Sequence, residues 1–144
     1  MRFSLAVQRI LLSAGDAARH MGHSYVGSEH LLLGIACQEY SPAGRLLSEQ
    51  GLSRSVLREA IATMVGTGTP TRTLYQGLTA NCCQAIQSAT LESKRQHQTT
   101  VSAEHLLFGL LQHSSCGACR LLSEKGIKPS AVLQAVTAYL GGED

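Results

Sequence analysis

At 144 residues and 15.3 kDa, the chain has room for one domain, or at most two very small ones. A net charge of +2 sets up no field to recruit nucleic acid or an anionic membrane. With 44% hydrophobic and 15% charged residues it can fold alone, which excludes disorder, and 4% aromatics with no Trp leave a core of Leu, Ile, Val and Ala, a helical palette.

In chain order, Ser4 is a plausible N-cap for a first helix whose Val7, Ile10, Leu11, Ala14, Ala17, Ala18 and Met21 follow the i, i+3, i+4, i+7 rule; Gly22 ends it. A second helix, from about Ser28 to Glu39, is apolar nearly all round (Leu31, Leu32, Leu33, Ile35, Ala36) and is expected at the buried centre of its unit. Pro42 opens a short third helix carrying Leu46 and Leu47, closed by Gly51. Ser53 caps a fourth, with Val56, Leu57, Ile61, Met64 and Val65 inward, and Gly66 stops it. Gly66 to Thr71 is rich in turn formers and reads as a linker. The plan then repeats: Thr79 caps a helix to about Gln98, Ser102 or Ala103 opens a central helix, Gly117 to Lys125 holds a short one, and Pro129 starts the last. No segment reads as a strand.

The repetition is also one of residues. Glu29-His30-Leu31-Leu32 returns as Glu104-His105-Leu106-Leu107, and Arg45-Leu46-Leu47-Ser48-Glu49 as Arg120-Leu121-Leu122-Ser123-Glu124, both at an offset of 75. Residues 4–66 laid on 79–141 give 18 identities in 63 positions without a gap. The expectation is an all-α fold of eight helices in two four-helix repeats: 1–66, a linker at 67–78, and 79–144, packed as one body.

Five Cys, two of them adjacent at Cys82 and Cys83, argue against a secreted disulfide framework and for a reducing compartment. Met1 to Val7 faintly resembles a signal peptide until Gln8 and Arg9 interrupt it, and no apolar run approaches the roughly 20 residues of a membrane span. These features read as a soluble cytoplasmic protein. No Gly-x-x-x-x-Gly-Lys-Ser/Thr stretch occurs, so the chain holds no phosphate-cradling ATPase loop and is not expected to be an enzyme. Nothing in it calls for a cofactor.

The paired Glu-His-Leu-Leu segments, each followed by an Arg-Leu-Leu-Ser-Glu-x-Gly helix, resemble the Clp N-terminal (Clp repeat) domain, most closely its ClpC-like branch, over about residues 3–142. The resemblance implies a pseudo-twofold module that captures protein substrates or adaptor proteins for a Clp ATPase ring, in cis or in trans. In ClpC-like domains the Glu of each Glu-His pair holds the guanidinium of a phosphorylated arginine, and its phosphate is met near the start of a first helix. By position this nominates Glu29 and Glu104 for the guanidinium, and Ser4 and Thr79 for the phosphate. ClpC-like relatives tend to carry basic residues in the first turns of those helices, whereas this chain has none there. General substrate or adaptor binding therefore ranks above phosphoarginine specificity.

Each nominated residue also has a plainer role. Glu29 and Glu104 complement a helix dipole as first-turn acids, Ser4 and Thr79 are ordinary N-caps, and His30 and His105 are half-buried histidines bonded to backbone or to the opposite unit. Cys116 and Cys119 form a Cys-x-x-Cys pair at a loop-to-helix junction; incidental thiols, a redox pair, or metal ligands together with His113 are its three readings. The alternatives for the whole chain are a free-standing modulator of the Clp ATPase and a redox or metal protein built on that pair.

Overall fold

A computed structural model describes residues 2–66, 68, 77–112 and 116–141. It contains eight helices: α1 Leu5–His20, α2 Ser28–Cys37, α3 Pro42–Glu49, α4 Arg54–Val65, α5 Ala80–Arg95, α6 Ala103–Leu110, α7 Gly117–Glu124 and α8 Pro129–Gly141. The N-caps are the residues the sequence marks. Ser4 Oγ accepts the Val7 N–H at 3.2 Å, Ser53 Oγ that of Val56 at 3.3 Å, and Thr79 Oγ1 that of Cys82 at 3.2 Å, each satisfying a donor a helix start leaves free. Ser41 caps α3 behind Pro42 in the same way, and Gly51, at φ +78°, takes the left-handed conformation of a C′ glycine.

Two helices stop earlier than expected. Helix α2 ends at Cys37 because the Gln38 carbonyl is taken by the Ser41 N–H and hydroxyl, which turns the chain into α3. Helix α5 ends at Arg95, where His97 adopts a positive φ of 58°. Val65, expected inward, is 38% exposed on the last turn of α4.

The absence of strands is also corrected. Four two-residue strands occur: β1 Arg2–Phe3, β2 Tyr25–Val26, β3 Gly77–Leu78 and β4 Thr100–Val101. They pair in parallel as β1 with β4 and β2 with β3, so each bridge joins the lead-in of one repeat's first helix to the lead-in of the other repeat's central helix. A two-residue strand has no room for an alternating pattern, which is why the sequence shows none.

The core is continuous across the repeats. Leu31, Leu32 and Ile35 of α2 and Leu106, Leu107 and Leu110 of α6 are buried to within 1% and belong to one apolar cluster with α1, α4, α5 and α7. Helix α2 packs on α1 and α6 on α5, and α2 also meets α6 and α7 while α3 meets α6 and α8. The helix pairs approach closely through glycine: a Cβ on Gly34 would lie 2.7 Å from the Ile10 carbonyl oxygen, and one on Gly109 would overlap that of Ala85. This crossing brings the N-termini of α2 and α6 against the opposite repeat.

Candidate functional site

The two Glu-His segments do more than start their own helices. Glu104 Oε2 accepts the backbone N–H of Ala43 at 3.0 Å, capping α3 of the other repeat. At the related place Ser28 Oγ accepts the N–H of Ala118 at 3.1 Å, capping α7. The chemistry differs because position 28 carries a hydroxyl and its counterpart, Ala103, carries none. Where the hydroxyl is missing the carboxylate takes the bond itself. The Glu29 carboxylate lies instead over Gly27 and Gly117, in the space that a Cβ at either would fill. Both carboxylates are nearly buried, at 7% and 8% exposure.

Around Glu29 opens a pocket of about 370 Å³ between the repeats, walled by Tyr25, Val65, Thr79, Asn81 and Arg120. Burial and the adjacent Glu29 carboxylate push the Tyr25 phenol above its ordinary pKa. Of the four nominated residues, this pocket brings together Glu29 and Thr79. Glu104 lines a separate pocket of about 400 Å³ with Gln98, Thr100, His105 and Tyr139, and Ser4 is not on its wall. The Ser4 N–H bonds to the Val101 carbonyl, just as the Thr79 N–H bonds to that of Val26.

The basic residue missing from the first helices comes from elsewhere. Arg120, in the second turn of α7, reaches the Glu29 pocket, 41 residues beyond Thr79 in sequence. Its repeated Arg-Leu-Leu-Ser-Glu segment was the available signal. The repeat does not carry the role across, because Arg45 lines a different pocket with Pro42, Glu49 and Tyr139.

His30 and His105 are buried within their own repeats, at 0% and 4% exposure, rather than half-buried or bonded to the opposite one. Gly27 N–H donates to His30 Nδ1 at 2.9 Å, which places the ring proton on Nε2, 2.8 Å from His23 Nδ1; His23 Nε2 in turn meets the Gly66 carbonyl at 2.7 Å. Burial and the neighbouring His23 lower the His30 pKa to about 4. His105 Nδ1 accepts the Ser102 N–H, and its Nε2 lies 2.8 Å from Gln96 Oε1. These rings are internal ties, with no open coordination face.

Cys116 is the N-cap residue of α7, and both it and Cys119 are free and buried. The neighbouring Cys119 thiol lowers the Cys116 pKa to about 6, while Cys116 and burial raise that of Cys119. His113 lies outside the described residues, and among those described no group of three or more His, Cys, Asp or Glu is placed to hold a metal. The Cys82 thiol donates to the Val26 carbonyl at 3.0 Å.

Comparison with known proteins agrees with this architecture. The family model for the Clp repeat (R) N-terminal domain matches twice, at residues 1–76 and 77–143. Among curated relatives, the chaperone protein ClpB of Oceanobacillus iheyensis is 27% identical over 144 residues, and the negative regulator of genetic competence ClpC/MecB of Bacillus subtilis is 26% identical over 144; each match takes in 99% of this chain and 18% of the relative. The chain thus spans less than a fifth of the length of those relatives. In structure it is similar to the N-terminal domain of the chaperone ClpD from Arabidopsis thaliana (TM-score 0.80, 21% identity, 97% of this chain and 95% of that one). It is similar also to the Hsp104 N-terminal domain from Candida albicans (TM-score 0.77, 16% identity, 100% and 94%). Several other relatives are described as chloroplastic, and among the described residues no helix is long and apolar enough to cross a membrane. Two matched repeats, eight helices in pseudo-twofold order and the reciprocal caps between them lead to one conclusion: the chain belongs to the Clp repeat (R) N-terminal domain family.

Proposed function

We propose that this chain is a non-catalytic recognition module that captures protein substrates or adaptors for a Clp ATPase ring, with the pocket between the repeats as its binding site. The observation that carries this reading is that Glu29, Thr79 and Arg120, from three separate elements, share one pocket of about 370 Å³. A carboxylate there accepts the paired N–H donors of an arginine side chain, while the α5 N-terminus and a guanidinium favour an anion. A peptide arginine uses the first of these and phosphoarginine uses both. The duplication offers a second pocket lined by Glu104 but not by Ser4, and two contact points on one body raise avidity for a multiply marked or extended segment. Five free thiols, three of them buried, support a reducing compartment such as the cytoplasm.

Calorimetry with free phosphoarginine, free arginine and an unstructured peptide tests the reading on the unsubstituted protein and on Glu29→Gln and Glu104→Gln. Weaker binding in either variant, with melting behaviour retained, supports a ligand role. Unchanged affinities for all three ligands would reduce both carboxylates to first-turn acids of their own helices.

A further inference from the structure

The dithiol of α7 is the chemistry-bearing motif that recognition leaves unused. Cys116 and Cys119 stand one helical turn apart on α7, which matches the Cα separation a disulfide spans without backbone displacement. Both are free and buried, with 2% and 1% exposure, and each is the largest influence on the other's pKa. Cys116 sits at the N-terminus of α7, where Cys119, the first-turn amides and Ser28 of the other repeat lower its pKa. These donors favour a thiolate. The Leu110 carbonyl, 3.5 Å from the Cys116 sulfur, accepts from it when it is protonated. Residues 117, 118 and 120 of α7 meet Glu29, Ser28 and the recognition pocket.

We propose that Cys116 and Cys119 are a reversible redox couple that a hydroperoxide oxidises to an intrahelical disulfide, reshaping the α7 wall of the Glu29 pocket. The effect on the pocket rests on the ligand reading given above; formation of the disulfide does not.

The Cys116 thiolate attacks the terminal oxygen of the hydroperoxide, forming an S–O bond as the O–O bond breaks. The departing hydroxide or alkoxide takes a proton and leaves as water or alcohol. Cys119 then loses its proton and attacks the sulfur of the Cys116 sulfenic acid; the expelled hydroxide takes that proton and leaves as a second water. With hydrogen peroxide, two thiols and one peroxide give one disulfide and two waters. A dithiol reductant reverses the step by exchange. In the disulfide the Cys116 sulfur no longer carries a negative charge at the α7 N-terminus, beside the Ser28 hydroxyl that caps Ala118.

The test exposes the whole chain to hydrogen peroxide, blocks remaining thiols by alkylation, and maps the tryptic fragment 96–120, which contains Cys116 and Cys119 and no other cysteine. The expected result is a fragment lighter by about 2 Da that resists alkylation and is restored by dithiothreitol. The disulfide does not form in Cys116→Ser or Cys119→Ser. Oxidation of the exposed Cys83 while fragment 96–120 stays fully alkylatable overturns the couple, as does co-purified zinc held by the two thiols. Calorimetry with free phosphoarginine and free arginine then compares the two forms, with about tenfold weaker binding expected in the oxidised one. If the reduced protein binds neither compound, the pocket reading fails. Hydrogen exchange at the Ala118 and Cys119 amides then decides the rest: faster exchange on oxidation supports the reshaping of α7, and unchanged exchange overturns it.

Discussion

Glu104 Oε2 accepts the backbone N–H of Ala43 at 3.0 Å, so the carboxylate of one repeat caps a helix of the other, 61 residues away. The bond is buried, and it is the counterpart of the Ser28 contact with Ala118. Replacing Glu104 by Ala strands a buried donor and is expected to cost ~1–3 kcal/mol. Glu104→Gln keeps an acceptor and should cost less. Urea denaturation ranks the two, and equal losses would assign the effect to charge rather than to the bond.

Glycine at the helix crossings should prove hard to replace. In Gly109→Ala the new methyl meets the Ala85 carbonyl, a backbone atom that cannot swing aside, whereas in Gly34→Ala it meets the Ile10 carbonyl at 2.7 Å. Alanine gains ~1 kcal/mol in helix propensity. The clash outweighs this, so both variants should melt lower, Gly109→Ala by the greater margin, at about 4 °C per kcal/mol lost. A rise in Tm for either would contradict the close crossing.

Stability should fall in acid through His30. The folded protein keeps this ring neutral down to a pKa of about 4, while the unfolded chain protonates it near the ordinary 6.5. Between those values the unfolded state binds the extra proton, so stability is lost as pH falls from 6.5 to 4, by at most ~1.4 kcal/mol per pH unit, and levels off below. His23, Tyr25 and the Glu29 carboxylate, 3.8 Å from His30 Nδ1, are the titratable groups facing it. Denaturation midpoints measured across this window should show a shallower slope in His30→Asn than in the unsubstituted chain.

The two repeat-related arginines should separate in binding. Arg120 lines the Glu29 pocket and Arg45 does not. Arg120→Ala is expected to weaken phosphoarginine about tenfold, the scale of one charge-assisted contact, with a smaller effect on free arginine. Arg45→Ala should leave both unchanged. Equal effects of the two substitutions in calorimetry would remove Arg120 from the site.

Much of the fold was legible because its signals are local. Ser4, Ser53, Thr79 and Ser102 stand where helix starts need an acceptor, and the apolar run 31–36 could only be central. The β1–β4 and β2–β3 bridges were not legible, since two residues hold no period and their partners lie in the other repeat. The site was half legible: Glu29 and Thr79 stand out by position in the repeat, but their meeting with Arg120 depends on how α7 docks.

Eight helices, their caps and the duplication follow from the amino-acid order alone, because all depend on contacts within a few turns or on the likeness of one half of the chain to the other. The division of labour between the repeats, by contrast, comes from how they pack on each other. A hydroxyl at Ser28, where the counterpart is Ala103, lets Glu29 turn toward a pocket while Glu104 is held as a cap. That asymmetry arises where each buried helix start offers its N–H to the acceptor that faces it from the other repeat, a match set by packing across 61 and 90 residues and absent from any local pattern.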